Sequence, residues 1–143
     1  MNRQNVINKV YTRTYYLAEG KKEEMPSLAT MQASQDNNDI LSDYLESAMD
    51  RVKAYIEKRL PSVSWVDDTL LVESNRENAE EMIQRLDRAI EDYLVEELVY
   101  RWVSDNQPKM ADPSLPEQRL DYVKTCVTSL APNVRRRATT MGI

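Results

Sequence analysis

Residues 74–105 contain neither glycine nor proline, and nothing else in this 143-residue chain restricts its fold as strongly. Apolar residues recur within that stretch at Ala79, Met82, Ile83, Leu86, Ala89, Ile90, Tyr93, Leu94, Leu98, Val99, Trp102 and Val103. Side chains three and four apart stack on one side of an α-helix, so this spacing predicts a single long amphipathic helix. Ser74 followed by Glu77 has the form of a capping box, which places the start at Ser74. Beyond Leu94 the apolar surface widens to take in Val95 and Tyr100. Such a helix is peripheral at its start and central at its end.

The remaining segments read as a bundle built around it. Residues 3–18 carry Val6, Ile7, Val10, Tyr11, Thr14 and Leu17 at helical spacing, with Gly20 placed to stop the helix as a left-handed cap. Residues 21–38 are polar, contain Pro26 and form an extended connector, with at most one helical turn at 27–31. A second long helix spans residues 39–59, with Asp36 or Asn37 as its cap and Pro61 as its stop. Its stripe is Leu41, Leu45, Ala48, Val52 and Ile56. Residues 63–72 are either one short β-hairpin around Asp67-Asp68 or an irregular loop with apolar anchors, because no Asn-Gly or Asp-Gly fixes a turn. Ser114-Leu115-Pro116-Glu117 offers a cap, with proline in the first helical turn, to a last helix that carries Leu120, Val123, Val127 and Leu130 on one side up to Pro132. The expectation is an all-α chain: a small helical bundle of about four helices over residues 1–132, followed by a basic C-terminal arm at 133–143.

Composition narrows the chemistry. Histidine is absent, so the commonest general base and metal ligand are missing, and a carboxylate-bridged di-iron bundle lacks its Glu-x-x-His motifs. Two glycines leave no room for a glycine-rich phosphate loop. One cysteine, Cys126, excludes an internal disulfide or a zinc cluster, fits a reducing cytosolic setting and reads as a buried, inert thiol. The first residues are too polar for a signal peptide, and no apolar run approaches the roughly 20 residues that span a bilayer. With eight Tyr, two Trp and no Phe, several tyrosines belong at the core rim or in a subunit contact. Trp65 and Trp102 read as core. No catalytic, cofactor-binding or metal-binding set emerges, and the chain is expected not to be an enzyme.

Charge is uneven. Eleven acidic residues face three arginines between Asp67 and Glu97, whereas residues 133–143 carry three arginines and no acid. The acidic pairs Glu80-Glu81, Glu91-Asp92 and Glu96-Glu97 point about 100° apart on a helix, so no pair converges on one substrate atom. They read as a solvated face or as inter-subunit contacts, with Glu81–Arg85 and Glu97–Arg101 at the favourable four-residue spacing. Arg135, Arg136 and Arg137, with Val134 before them and Met141 and Ile143 after, read either as an ordinary basic tail or as a docking arm with an apolar plug. Three arginines on a chain of net charge −5 would give DNA only weak, salt-sensitive attachment.

Two stretches carry a family resemblance. Leu41, Asp43, Tyr44, Leu45, Ala48, Val52, Tyr55 and Ile56, followed by Ala89, Ile90, Leu94, Leu98, Tyr100 and Trp102, resemble the helices of the small head–tail connector (adaptor) proteins of tailed bacteriophages. The basic segment 134–137 resembles the C-terminal arm with which such proteins reach the portal. The similarity covers about two thirds of the chain; the first helix and residues 63–72 have no counterpart in it. It implies a non-enzymatic virion structural protein at the head–tail interface, made in the host cytoplasm. There it would form a homo-oligomeric ring of about twelve copies that contacts the portal and other neck or tail proteins. DNA would pass through its channel without sequence-specific binding, and no membrane is involved. The alternative from the residues alone is a cytosolic helical protein–protein interaction or regulatory module.

Overall fold

The computed structural model describes residues 1–21, 32–74 and 76–131, with backbone only for residues 20 and 21. Its elements, in chain order, are α1 (Arg3–Lys21), a 3-10 turn (Gln35–Asn37), α2 (Asn38–Arg59), β1 (Val63–Val66), β2 (Thr69–Val72), α3 (Ala79–Asn106), a second 3-10 turn (Pro108–Met110) and α4 (Ser114–Leu130). The described residues form the expected bundle of four helices, and of the two readings of residues 63–72 they take the hairpin. The connector residues 22–31 and the arm at 133–143, including Val134, Arg135, Arg136, Arg137, Met141 and Ile143, lie outside the described residues.

α3 is the central element. α1, α2 and α4 all pack on it, while α1 and α4 do not pack on each other. Its first two turns contain no buried residue; from Leu86 onward Leu86, Ala89, Ile90, Tyr93, Leu94, Leu98, Trp102 and Val103 are buried. The helix is therefore peripheral first and central later, as its widening apolar surface predicts. α2 contributes Leu41, Leu45, Ala48, Met49, Val52 and Ile56, and α4 contributes Val123, Cys126, Val127 and Leu130. Thr14 of α1 is fully buried; its hydroxyl donates to the Val10 carbonyl and accepts the Ala33 N–H at 3.0 Å, which ties the end of the connector back to α1.

Residues 63–72 form an antiparallel hairpin with Val66 opposite Thr69 and Trp65 opposite Leu70. Its two-residue turn has no glycine, and Asp67 takes a positive φ of 55°. Tertiary contacts compensate for the missing glycine. The Asp68 carboxylate accepts from Arg3 Nε at 2.6 Å and from Lys53 Nζ at 3.3 Å, so α1 and α2 both hold the turn. Leu70 anchors the hairpin in the core.

The helix ends differ from expectation in four places. Ser74 does not cap α3: its hydroxyl accepts the N–H of Arg76, and the helix begins at Ala79 after Asn78 at φ 64°. Arg76 supplies the reason, because its guanidinium donates to the Ser129 and Ala131 carbonyls at 2.6 and 2.8 Å, closing the C-terminal end of α4. α1 continues one residue past Gly20. Asn37 occupies the cap position of α2, but its side chain accepts the Ser34 N–H behind it rather than a helix amide ahead. At α4 the acceptor is Asp112, which takes both the N–H and the hydroxyl of Ser114. Those two bonds hold the Asp112 carboxyl below the usual carboxylate range.

Candidate functional site

The acidic residues of α3 divide into two sets. Glu91 accepts from Lys9 of α1 at 3.2 Å, and Asp87 lies 3.6 Å from the N-terminal ammonium. Glu96 is buried, and Arg13 of α1 meets it with both terminal nitrogens, Nη2 at 3.2 Å from Oε2. Glu97 bridges two helices by accepting from Arg51 of α2 at 3.0 Å and Arg101 at 3.1 Å. The Glu97–Arg101 pair thus forms as its spacing predicts. Glu96 and Glu97 are not a solvated face; together with Glu91, whose pair with Lys9 lies at the surface, they join α1 and α2 to α3. The sequence gives no sign of this, because the cations come from helices about 45–85 residues away in the chain. Glu80, Glu81 and Asp92 stay exposed, and Glu81 makes no ion pair with Arg85 among the described residues.

A second set of contacts joins α2 to the end of α3. The Tyr44 hydroxyl donates to the Asp105 carboxylate, and burial together with that bond pushes its pKa up to about 12. The tyrosines sit where the composition predicts: Tyr93 is buried, Tyr11, Tyr44, Tyr55 and Tyr100 line the core rim, and Tyr15, Tyr16 and Tyr122 are exposed. Trp102 is in the core. Trp65 is half-buried beneath Lys53, whose ammonium lies 5.3 Å from its ring centre.

Because α1 and α4 stand apart, a seam opens between them over α3. One cavity of about 280 Å³ lies between Lys9 and Arg13 of α1, Asp92 and Glu96 of α3, and Arg119 of α4. Next to it, across Asp92, a groove of about 350 Å³ is walled by Glu81, Arg85 and Arg88 of α3 and Tyr122 of α4. Arg85, Arg88 and Arg119 are exposed and engage no carboxylate among the described residues. On the other side of the Arg13–Glu96 pair, Leu17, Val99, Val103, Met110 and Leu115 line a small apolar cleft.

The outer face of α2 is the counterpart. Asp39, Asp43, Asp50 and Glu57 are exposed and follow one another at helical spacing, opposite the buried stripe of Leu41, Leu45, Val52 and Ile56. Glu46 belongs to the same stripe but is drawn to Arg3. Sequence reasoning centred on the acids of α3 passed over this stripe and the Arg85–Arg88 pair. Both are visible as helical spacing once charge is plotted by face rather than along the chain.

Cys126 is buried in α4, and burial raises its thiol pKa, which fits an inert side chain. Among the described residues no three His, Cys, Asp or Glu side chains converge as a metal site requires, and no helix is long and apolar enough to cross a membrane. No family model, curated protein or solved structure gives a match to this chain.

Proposed function

We propose that this protein is a structural, non-enzymatic subunit of the neck of a tailed bacteriophage, a connector ring component that docks on the portal and continues the DNA channel. The observation that carries this reading is the way the two resembling stretches pack. Leu41, Leu45, Ala48, Val52 and Ile56 of α2 and Ala89, Ile90, Leu94, Leu98 and Trp102 of α3 are all buried in one core. Tyr44, Tyr55 and Tyr100 from the same two stretches sit at its rim. The resemblance thus falls on the central helix and on one of the three helices that pack on it. A ring subunit also needs two unlike sides, since a head-to-tail contact that closes by rotation makes a ring. The acidic outer face of α2 and the groove beside α4, which mixes Arg85 and Arg88 with Glu81 and Asp92, are unlike in that sense.

In this reading residues 133–143 reach the portal, with Arg135, Arg136 and Arg137 pairing with its acids and Met141 and Ile143 as the apolar end. The test is particle assembly in infected cells. Removing residues 133–143 leaves the bundle folded but yields DNA-filled heads that do not join tails. Complete, infectious particles assembled without the protein, or with the shortened chain, would contradict the reading.

A further inference from the structure

We propose that the apolar cleft at the start of α4 is the seat of Met141 and Ile143 of the same chain, and that the arginines before them lie back along the outer face of α4. The cleft is walled by Leu17 of α1, Val99 and Val103 of α3, Met110 and Leu115. Leu115 is 41% exposed, so apolar surface stays uncovered there. The outer face of α4 carries Glu117 and Asp121, both exposed and one turn apart. Like charges at that spacing repel, and neither carboxylate meets a cation among the described residues. Lys124, on the same face, lies over the ring of Tyr55 instead.

The chain that leaves α4 has the length and the order of residues to fill both places. Arg76 holds the Ala131 carbonyl at 2.8 Å, which fixes where that chain starts. From Ala131, Asp121 lies about 15 Å back along the helix axis and Glu117 about 21 Å. Extended chain advances about 3.3 Å per residue, which brings Arg135 to about 13 Å and Arg137 to about 20 Å on a return path. Residues two apart in extended chain point the same way, so these two guanidinium groups meet the two carboxylates together. Met141 follows Arg137 by about 13 Å of extended chain, enough to round a helix about 10–12 Å across and reach Leu115 on its other side.

So short a tether favours the chain's own cleft over that of a second copy, because a linked segment has an effective concentration in the mM range. The contact stands on the residues of this chain alone. Its consequence rests on the neck reading above: residues 133–143 are held on the bundle until a portal competes for them.

The test is paramagnetic NMR of the full chain at low salt, with a nitroxide on Thr140→Cys. Cys126 is buried, and mass spectrometry verifies that a single label is attached. The label broadens the amides of Leu17, Met110 and Leu115, less so as salt shortens the screening length. Arg135→Glu/Arg137→Glu loses that broadening, and adding Glu117→Lys/Asp121→Lys, at exposed positions, restores it. Met141→Asp/Ile143→Asp loses it too, with the described helices unchanged in sequence. Circular dichroism with a thermal melt verifies that each variant folds.

Cleft amides untouched by the label, broadening that survives the arginine or the apolar replacements, or a folded charge exchange that restores nothing overturns the contact. Equal broadening of an unlabelled chain by a labelled one also overturns it and puts the segment on a second copy. Failure here with portal binding intact leaves the neck reading standing. A seated segment in a chain that binds no portal removes the neck reading alone.

Discussion

Arg13 of α1 meets Glu96 of α3 through both ends of its guanidinium, and the carboxylate it meets is only 6% exposed. That pair lines both the charged cavity of the seam and the apolar cleft, and it ties α1 to α3. A buried carboxylate is tolerated only with such a partner, so it marks where α1 must dock.

Replacing Arg13 by Ala strands the Glu96 carboxylate and is expected to cost about 1–3 kcal/mol in urea unfolding. Lys9→Ala, which breaks an exposed pair with Glu91, is expected to cost about 0–1 kcal/mol. Arg13→Met combined with Glu96→Leu recovers most of the loss, because an apolar pair of similar volume needs no counter-charge. Equal costs for the Arg13 and Lys9 variants would show that the buried pair does not position α1.

Asp68 predicts an acid dependence. The Arg3 guanidinium, and then Lys53, hold its carboxyl below the usual range. A carboxyl whose folded pKa is lowered stabilises the fold above the unfolded value, and that stability is lost as pH falls through the folded value. The urea midpoints of wild type and Asp68→Asn should therefore differ near neutrality and converge as the pH drops below about 4. A difference that stays constant down to about pH 2 would mean that the hairpin turn is not held by these charges.

The core predicts a sharp contrast between equally apolar positions. Leu86 and Leu94 are fully buried, so Leu86→Ala or Leu94→Ala is expected to cost about 2–5 kcal/mol. Ile40 is on the surface, and Ile40→Ala is expected to stay within about 0.5 kcal/mol. Thermal or urea unfolding of the three variants measures this directly. A small loss at Leu94 would place α3 outside the core.

Cys126 gives a chemical probe of the α3–α4 packing. Its thiol is buried, with a pKa above the ordinary value, so an aromatic disulfide reagent should modify it slowly in buffer and at once in urea. Fast modification of the folded chain would contradict that packing.

Much of this fold is local and therefore readable in the sequence. The stripes of α2, α3 and α4 each appear as three- and four-residue spacing, and Pro61 marks where α2 stops. What escaped the sequence depends on partners far along the chain. Ser74 and Glu77 have the right spacing for a cap, yet Arg76 between them is recruited to the end of α4. The hairpin lacks its usual turn residues because Arg3 and Lys53 hold Asp68 instead. Glu96 reads as surface until α1 brings Arg13 over it. The candidate contact faces were legible in part: the acids of α3 drew notice by number, while the exposed stripe of α2 needed the positions of its neighbours to stand out.

Native mass spectrometry of the full chain mixed with the portal protein of the same genome tests whether these helices join a larger particle, as proposed. A neck subunit gives a closed complex carrying about twelve copies of this chain per portal, lost when residues 133–143 are removed. Portal and chain detected only as separate species at every mixing ratio would contradict it.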